Sequence, residues 1–144
     1  MLNKFLIYLL IIFNSMIFYV HSNEQIYFDV SEIEILDGGN KIIGKNRGTI
    51  TTNNGIIIKA DEFIYDKEKN ILEAAGNISI EDQLNNYNFS AQNLLYVKNE
   101  ERIELKGQSR ASINDKYTFN SQDITFLRND MIISSEVGAT ILDN

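Results

Sequence analysis

The chain contains no cysteine and no proline, and it has one histidine, His21. Without cysteine there are no disulfides, no thiol nucleophile and no thiolate metal site. His21 sits in an N-terminal apolar stretch, so everything after it lacks an imidazole. Serine triads, histidine zinc sites and the commonest general base are therefore missing together. The expectation is a domain that is not an enzyme and needs neither metal nor cofactor. Basic residues are also scarce. There are 13 Lys and Arg against 20 Asp and Glu, a net charge of −7. A chain without a basic surplus is a poor partner for a phosphate backbone, which argues against nucleic acid.

Only one long apolar run is present. Phe5 to Val20, interrupted by Asn14 and Ser15, follows Lys4 and runs into Val20-His21-Ser22. This is the pattern of an export signal over residues 1–22 with cleavage before Asn23. A retained membrane anchor would need about 20 apolar residues, more than this stretch supplies. The expected mature domain is 23–144. It loses only Lys4 among the charged residues, so it keeps 12 basic against 20 acidic residues, a charge of −8.

What the mature region does have is a repeat of about 30 residues, present four times. The units open on Phe28, Val30, Ile33 and Ile35; on Ile58, Ala60, Phe63 and Tyr65; on Phe89, Ala91, Leu94 and Tyr96; and on Phe119, Ser121, Ile124 and Phe126. The spacing is a strand period of two with one extra residue inserted, as a bulge or corner requires. Farther along, Ile42, Leu72, Ile103 and Ile133 match, as do Ile50, Ile80, Ala111 and Ile141. Polar residues are equally regular. Ser31-Glu32, Asp61-Glu62, Gln92-Asn93 and Gln122-Asp123 sit where the period breaks, which predicts strand breaks there. Asp37 to Asn40, Lys67 to Asn70, Lys98 to Glu101 and Arg128 to Asp130 read as hairpin turns. Gly76 and Gly107 occupy matching columns and predict a second bend. The fold class is all-β, a rolled antiparallel sheet with three or four short strands per unit, roughly twelve to sixteen in all. Stacked units bury one another's apolar faces.

The unit GIIIKADEFIYDKEKNILEAAGNISIED, Gly55 to Asp82, resembles the OstA-like repeat of the lipopolysaccharide-transport proteins of Gram-negative bacteria. The shared elements are Ala60-Asp61, the aromatic pair Phe63 and Tyr65, the charged turn Asp66 to Asn70, and Ala75-Gly76 leading into Asn77 to Ile80. Phe89 to Ile113 is a looser copy. The resemblance implies an OstA-like β-jellyroll in the periplasm, open at its ends, whose interior carries lipopolysaccharide acyl chains. Members of the family include a soluble bridge, a component held to the inner membrane, and the periplasmic domain before an outer-membrane barrel. Glu24 to Phe63 most resembles the start of that last member, from which the chain departs in having no cysteine and no barrel within its 144 residues.

The matching columns place Ile33, Ile35, Phe63, Tyr65, Leu72, Ile78, Ile80, Phe89, Leu94, Tyr96, Leu105, Phe119, Ile124 and Phe126 on the inward face, along one continuous apolar channel. The resemblance implies that these residues touch lipid A acyl chains. The chemistry of the task agrees with such a shape. Each methylene left in water costs about 0.8 kcal/mol, so a fourteen-carbon chain costs on the order of 10 kcal/mol. An open roll also leaves unpaired strand edges at both ends. Other OstA-like domains, paired end to end through those edges, are the expected protein partners beside lipopolysaccharide. Two readings compete: a structural or adhesive β-solenoid of the cell envelope with a filled core, and a hydrolase built on two carboxylates. The repeated carboxylates lie in turns rather than around a cleft, which disfavours the second. They match no calcium-binding spacing either.

Overall fold

A computed structural model describes residues 25–143, in which ten strands form one antiparallel sheet. The predicted export signal, residues 1–22, lies outside the described residues. The strands are β1 (Ile26–Leu36), β2 (Lys41–Thr52), β3 (Ile56–Ala60), β4 (Glu62–Asp66), β5 (Ile71–Asp82), β6 (Tyr87–Val97), β7 (Arg102–Ile113), β8 (Tyr117–Leu127), β9 (Ile132–Ser134) and β10 (Ala139–Asp143). They follow one another as hairpins. β3 and β4 share the place between β2 and β5, and β9 and β10 share the edge beyond β8. All four expected hairpin turns are present. Among the described residues the only helical pieces are 3-10 turns at Asp37–Gly39 and Lys98–Glu100.

The sheet bends where the polar pairs interrupt the apolar period. At Asp61 the strand itself breaks, separating β3 from β4. At Ser31 and Gln92 the strand continues but its pairing slips, between Val30 and Glu32 and between Ser90 and Asn93. Opposite Gln122, Lys106 pairs with Asp123 while Ser109 pairs with Ser121. The expectation of twelve to sixteen short strands is thereby corrected. Most strands are 11 or 12 residues long and turn the corner intact. A bulge absorbs the extra residue without ending the ladder, so one bent strand does the work of two.

The intervening strands turn the same corner with left-handed residues. These are Asn46 and Arg47 (φ 62° and 67°), Gly76 and Asn77 (77° and 47°), and Gly107 and Gln108 (83° and 48°). Gly138 (φ 89°) is the fourth copy, between β9 and β10. At Gly76 two constraints coincide. Its φ disfavours a side chain, and a Cβ there would lie 2.5 Å from Asp61 Oδ2. Asp61 explains the Ala-Asp…Gly pattern. Its backbone N–H donates to the Gly76 carbonyl at 3.0 Å, its carbonyl accepts from Arg47 N–H at 2.9 Å, and its carboxylate accepts from Asn77 Nδ2 at 2.7 Å. One residue ties the three strands of the corner together.

Folded at these corners, the sheet becomes two facing walls. The first wall holds 26–30, 48–52, 56–60, 78–82, 87–91, 109–113, 117–121 and 139–143. The second holds the other halves. Cross-strand pairing turns the sequence columns into inward rows along the roll. One row runs Phe28, Ile50, Ile58, Ile80, Phe89, Ala111, Phe119, Ile141. On the other wall, Ile35, Ile42, Tyr65, Leu72, Tyr96, Ile103, Phe126 and Ile133 are aligned. Nearer the corner, Ile33, Gly44, Phe63, Ala74, Leu94, Leu105 and Ile124 form a third row.

Candidate functional site

The walls meet out of step. Phe28 of the first unit packs on Tyr65 of the second, with ring centres 6.0 Å apart, and Phe89 of the third unit packs on Phe126 of the fourth at 5.1 Å. Each part of the first wall therefore faces the second wall one unit farther along the chain. This offset decides which inward residues are covered. In the middle, Ile50, Ile58, Leu72, Tyr96, Ile103, Ile124 and Phe126 are wholly enclosed. At the N-terminal end the second wall has nothing opposite it, and Ile33 and Ile35 are 50% and 61% exposed although they stand in inward rows. At the C-terminal end the first wall is left over, and Ile141 is 65% exposed.

The lining residues expected from sequence are thus brought together as a set but not equally covered. Phe63, Tyr65, Leu72, Ile78, Ile80, Phe89, Leu94, Tyr96, Leu105, Ile124 and Phe126 are buried, and Phe119 is partly buried. Through the middle of the roll these side chains touch one another. Clefts open at the two ends, and a smaller one of about 170 Å³ lies between them beside Phe63, Ala74 and Leu94. A cleft of about 510 Å³ at the N-terminal end is lined by Ile26, Phe28, Ile42 and Tyr65, with Lys67 and Asn70 at its lip. At the C-terminal end, a cleft of about 560 Å³ is lined by Gln108, Ser109, Asn120, Ser121 and Gln122 together with Val137, Ala139 and Thr140. Ser109 is 2% exposed there, and its hydroxyl has no hydrogen-bond partner among the described residues. Neither lining includes Ile58, Ile80 or Ile103.

The turns opposite the corner form the mouth of the roll. Within each wall they are stacked by backbone hydrogen bonds. Lys67 N–H donates to Asn40, Lys98 to Asn70 and Arg128 to Glu101, while Gln83 donates to Gly55 and Asn114 to Asn86. Between the walls, the tie is a polar cluster in which Asp82 is buried and Arg128, Glu101 and Asn54 are partly buried. Arg128 donates to Asp82 (Nε to Oδ2, 2.7 Å), to Glu101 (Nη1 to Oε2, 2.9 Å) and to the Asn54 carbonyl (Nη2, 2.6 Å). Asn54 Nδ2 and the Tyr96 hydroxyl both donate to Glu101 Oε1, at 3.0 and 2.9 Å. Asp82 also accepts from Asn85 Nδ2 at 2.7 Å. Burial alone would raise the Asp82 carboxyl, but the hydrogen bonds from Arg128 and Asn85 outweigh it and hold the group below the ordinary aspartate range. Burial likewise opposes the Arg128 charge, and its bonds to Asp82 and Glu101 more than restore it.

Sequence reasoning placed Arg128 in a turn and Tyr96 on the lining, and did not find this cluster. A signal was available. Lys67, Lys98 and Arg128 form a basic column heading successive turns, while Asn70 and Glu101 form the polar column that closes them.

No protein-family model matches the sequence, and no curated protein is similar to it at a significant level. Solved structures do match the fold. LptH of Pseudomonas aeruginosa, described as the LptA-homologous periplasmic component of the lipopolysaccharide transport device, superimposes with a TM-score of 0.74. The match covers 84% of this chain and 96% of LptH at 12% sequence identity. This chain has the β-jellyroll fold of LptH. At that identity the likeness is one of fold. A β-jellyroll accommodates the Ala-Asp…Gly corner, the bent strands and the inward rows in one architecture. Among the described residues no cluster of acidic or histidine side chains could hold a metal ion, and no helix is long and apolar enough to cross a membrane.

Proposed function

We propose that this OstA-like jellyroll is a periplasmic bridge that carries lipopolysaccharide by its acyl chains. The observation that carries the reading is the set of inward apolar rows running from end to end of the roll and left uncovered at both ends. An amphiphile gains about 25 cal/mol for each Å² of apolar surface it buries, so uncovered rows attract acyl chains while the sugar head stays in water. The fold shared with LptH supports the same assignment. Residues 1–22 act as the export signal in this reading, and residues 23–144 are the working domain. The bare half-wall at the N-terminal end and the bare half-wall at the C-terminal end belong to opposite walls. Stacked end to end, β1 of one copy and β10 of the next, or of another OstA-like domain, cover each other and extend the sheet by edge pairing. Sheet edges left open would otherwise invite unspecific pairing.

A second reading, a structural solenoid without cargo, is favoured by the packed middle of the roll. Photo-crosslinking separates the two. Crosslinkers at Phe63, Leu94 and Phe119 stand in inward rows. Lys59 and Ser90, the outward controls, share one row through the register Lys59–Ser79–Ser90. Capture of lipopolysaccharide from the inward set alone is expected. Equal capture from both sets, or from neither, would sink the transport reading.

A further inference from the structure

We propose that the Arg128 cluster is a latch that holds the mouth of the roll shut over its packed middle and opens to let acyl chains pass from one end cleft to the other. The inference rests on the transport reading above.

Four features of the structure support it. The cluster spans the two walls. Arg128 and Glu101 belong to turns of the second wall, whereas Asp82 ends β5 and Asn54 lies in a turn, both on the first wall. The opposite side of the roll cannot part, because there the chain itself passes from wall to wall, in six strands that turn the corner intact and, between β3 and β4, through Asp61, which is packed against Gly76. Any opening must therefore hinge at the corner and separate at the mouth. The cluster also lies beside the part of the interior that is closed. Tyr96, whose hydroxyl is in the cluster, has a fully enclosed ring, whereas the cleft at the N-terminal end, lined by Phe28, Ile42 and Tyr65 together with Gln25 and Asn70, lies beside Lys67, the equivalent of Arg128 two units earlier. At Lys67 the mouth stands open.

The chemistry is that of a reversible catch rather than of a core. A partly buried guanidinium with two carboxylates stabilises a closed state only while its geometry is complete, and apolar residues of the same size would do so more cheaply. Charge-assisted hydrogen bonds are short and directional, so they favour two discrete states over gradual widening. On opening, Arg128, Asp82 and Glu101 are rehydrated by water at the mouth. Parted apolar walls have no such compensation until acyl chains fill the gap. Lipid and latch thus act on one equilibrium, and cargo shifts it by binding only the open state.

The absence of cysteine allows a direct test. Cysteines at Gln83 and Asn129, both exposed and each adjacent to a latch residue, are joined by a reducible bis-maleimide. Uptake of purified fluorescent lipopolysaccharide is then followed before and after reduction, with circular dichroism as a control for retained β-structure. The lock is expected to slow uptake about ten-fold or more and reduction to restore it, and Arg128→Gln in the uncrosslinked chain is expected to speed it by a similar factor. If the locked protein loads as fast as the reduced one, the latch is wrong and the transport reading stands. If lipopolysaccharide enters neither form nor the parental chain, the transport reading fails and the latch fails with it.

Discussion

Tyr96 and Ile35 occupy the same column of the repeat and the same inward row, yet Tyr96 is fully enclosed and Ile35 is 61% exposed. The middle of the roll and its ends are built from equivalent residues and differ only in what stands opposite them. Because the walls are displaced by one repeat unit, the middle is a two-sided core and each end is a single bare wall. Facing inward and being buried are therefore separate properties in this fold. The first belongs to the strand and the second to the packing of one wall on the other.

The largest effect that would break this comparison comes from paired truncations. Phe126→Ala removes a ring enclosed by Phe89 and Tyr87, with centres 5.1 and 5.5 Å away, and should cost about 3–5 kcal/mol in urea unfolding. Ile35→Ala, in the same row at the bare end, should fall within about 0.5–1 kcal/mol. Comparable losses would mean that the end is covered after all. Ile35→Asp sharpens the point. It should leave the unfolding midpoint nearly unchanged while weakening end-to-end association, read by sedimentation.

A smaller loss is expected at the mouth. Arg128→Ala strands Asp82 without its main partner and should destabilise by about 2–3 kcal/mol. Lys69→Ala, which removes the exposed ion pair to Asp66, should leave the unfolding midpoint essentially unchanged. The contrast is measurable in one denaturation series, and equal effects would show that the cluster is solvated rather than buried.

At the corner, Gly76→Ala forces a side chain onto Asp61 in a left-handed conformation and should cost about 1–3 kcal/mol. Asn46 holds the matching place in the first unit at φ 62°, and its Nδ2 donates to Glu32 Oε2 at 2.8 Å, so Asn46→Gly relieves the backbone, loses that exposed bond and should be close to neutral. A large loss from Asn46→Gly would show that the first corner depends on the asparagine side chain.

The smallest expected effect is on pH dependence. Asp82 is held below its ordinary value of 3.8, so its contribution is complete above that pH and is lost as pH falls through the lower folded-state value. Acid unfolding of the parental chain should therefore be steeper below about pH 4 than that of Arg128→Ala, in which Asp82 has lost its main partner. Superimposable acid transitions would show that the Arg128 contact does not depress Asp82.

Much of the fold was legible because the repeat is a record of local pairing. Column spacing placed Phe63, Tyr65, Leu94 and Phe126 on one side of their strands, and the polar pairs at Ser31, Asp61, Gln92 and Gln122 marked the corners. The turns and the bends at Gly76 and Gly107 followed from residue type. The number of strands was overestimated because a bulge and a chain break leave the same interruption of period two. The Arg128 cluster was harder to see. Its members are up to 74 residues apart, and each alone reads as a polar residue in a turn.

By itself, then, the sequence determined the all-β class, the unit, the corners and the face of every apolar column, since side-chain direction along a strand depends only on neighbours in the ladder. Only the tertiary structure decided that Ile33, Ile35 and Ile141 are bare, that the middle is packed, and that Arg128 ties the two walls together. Those outcomes depend on how far one twisted wall is displaced against the other, and that displacement is set by contacts between distant units that no local pattern encodes.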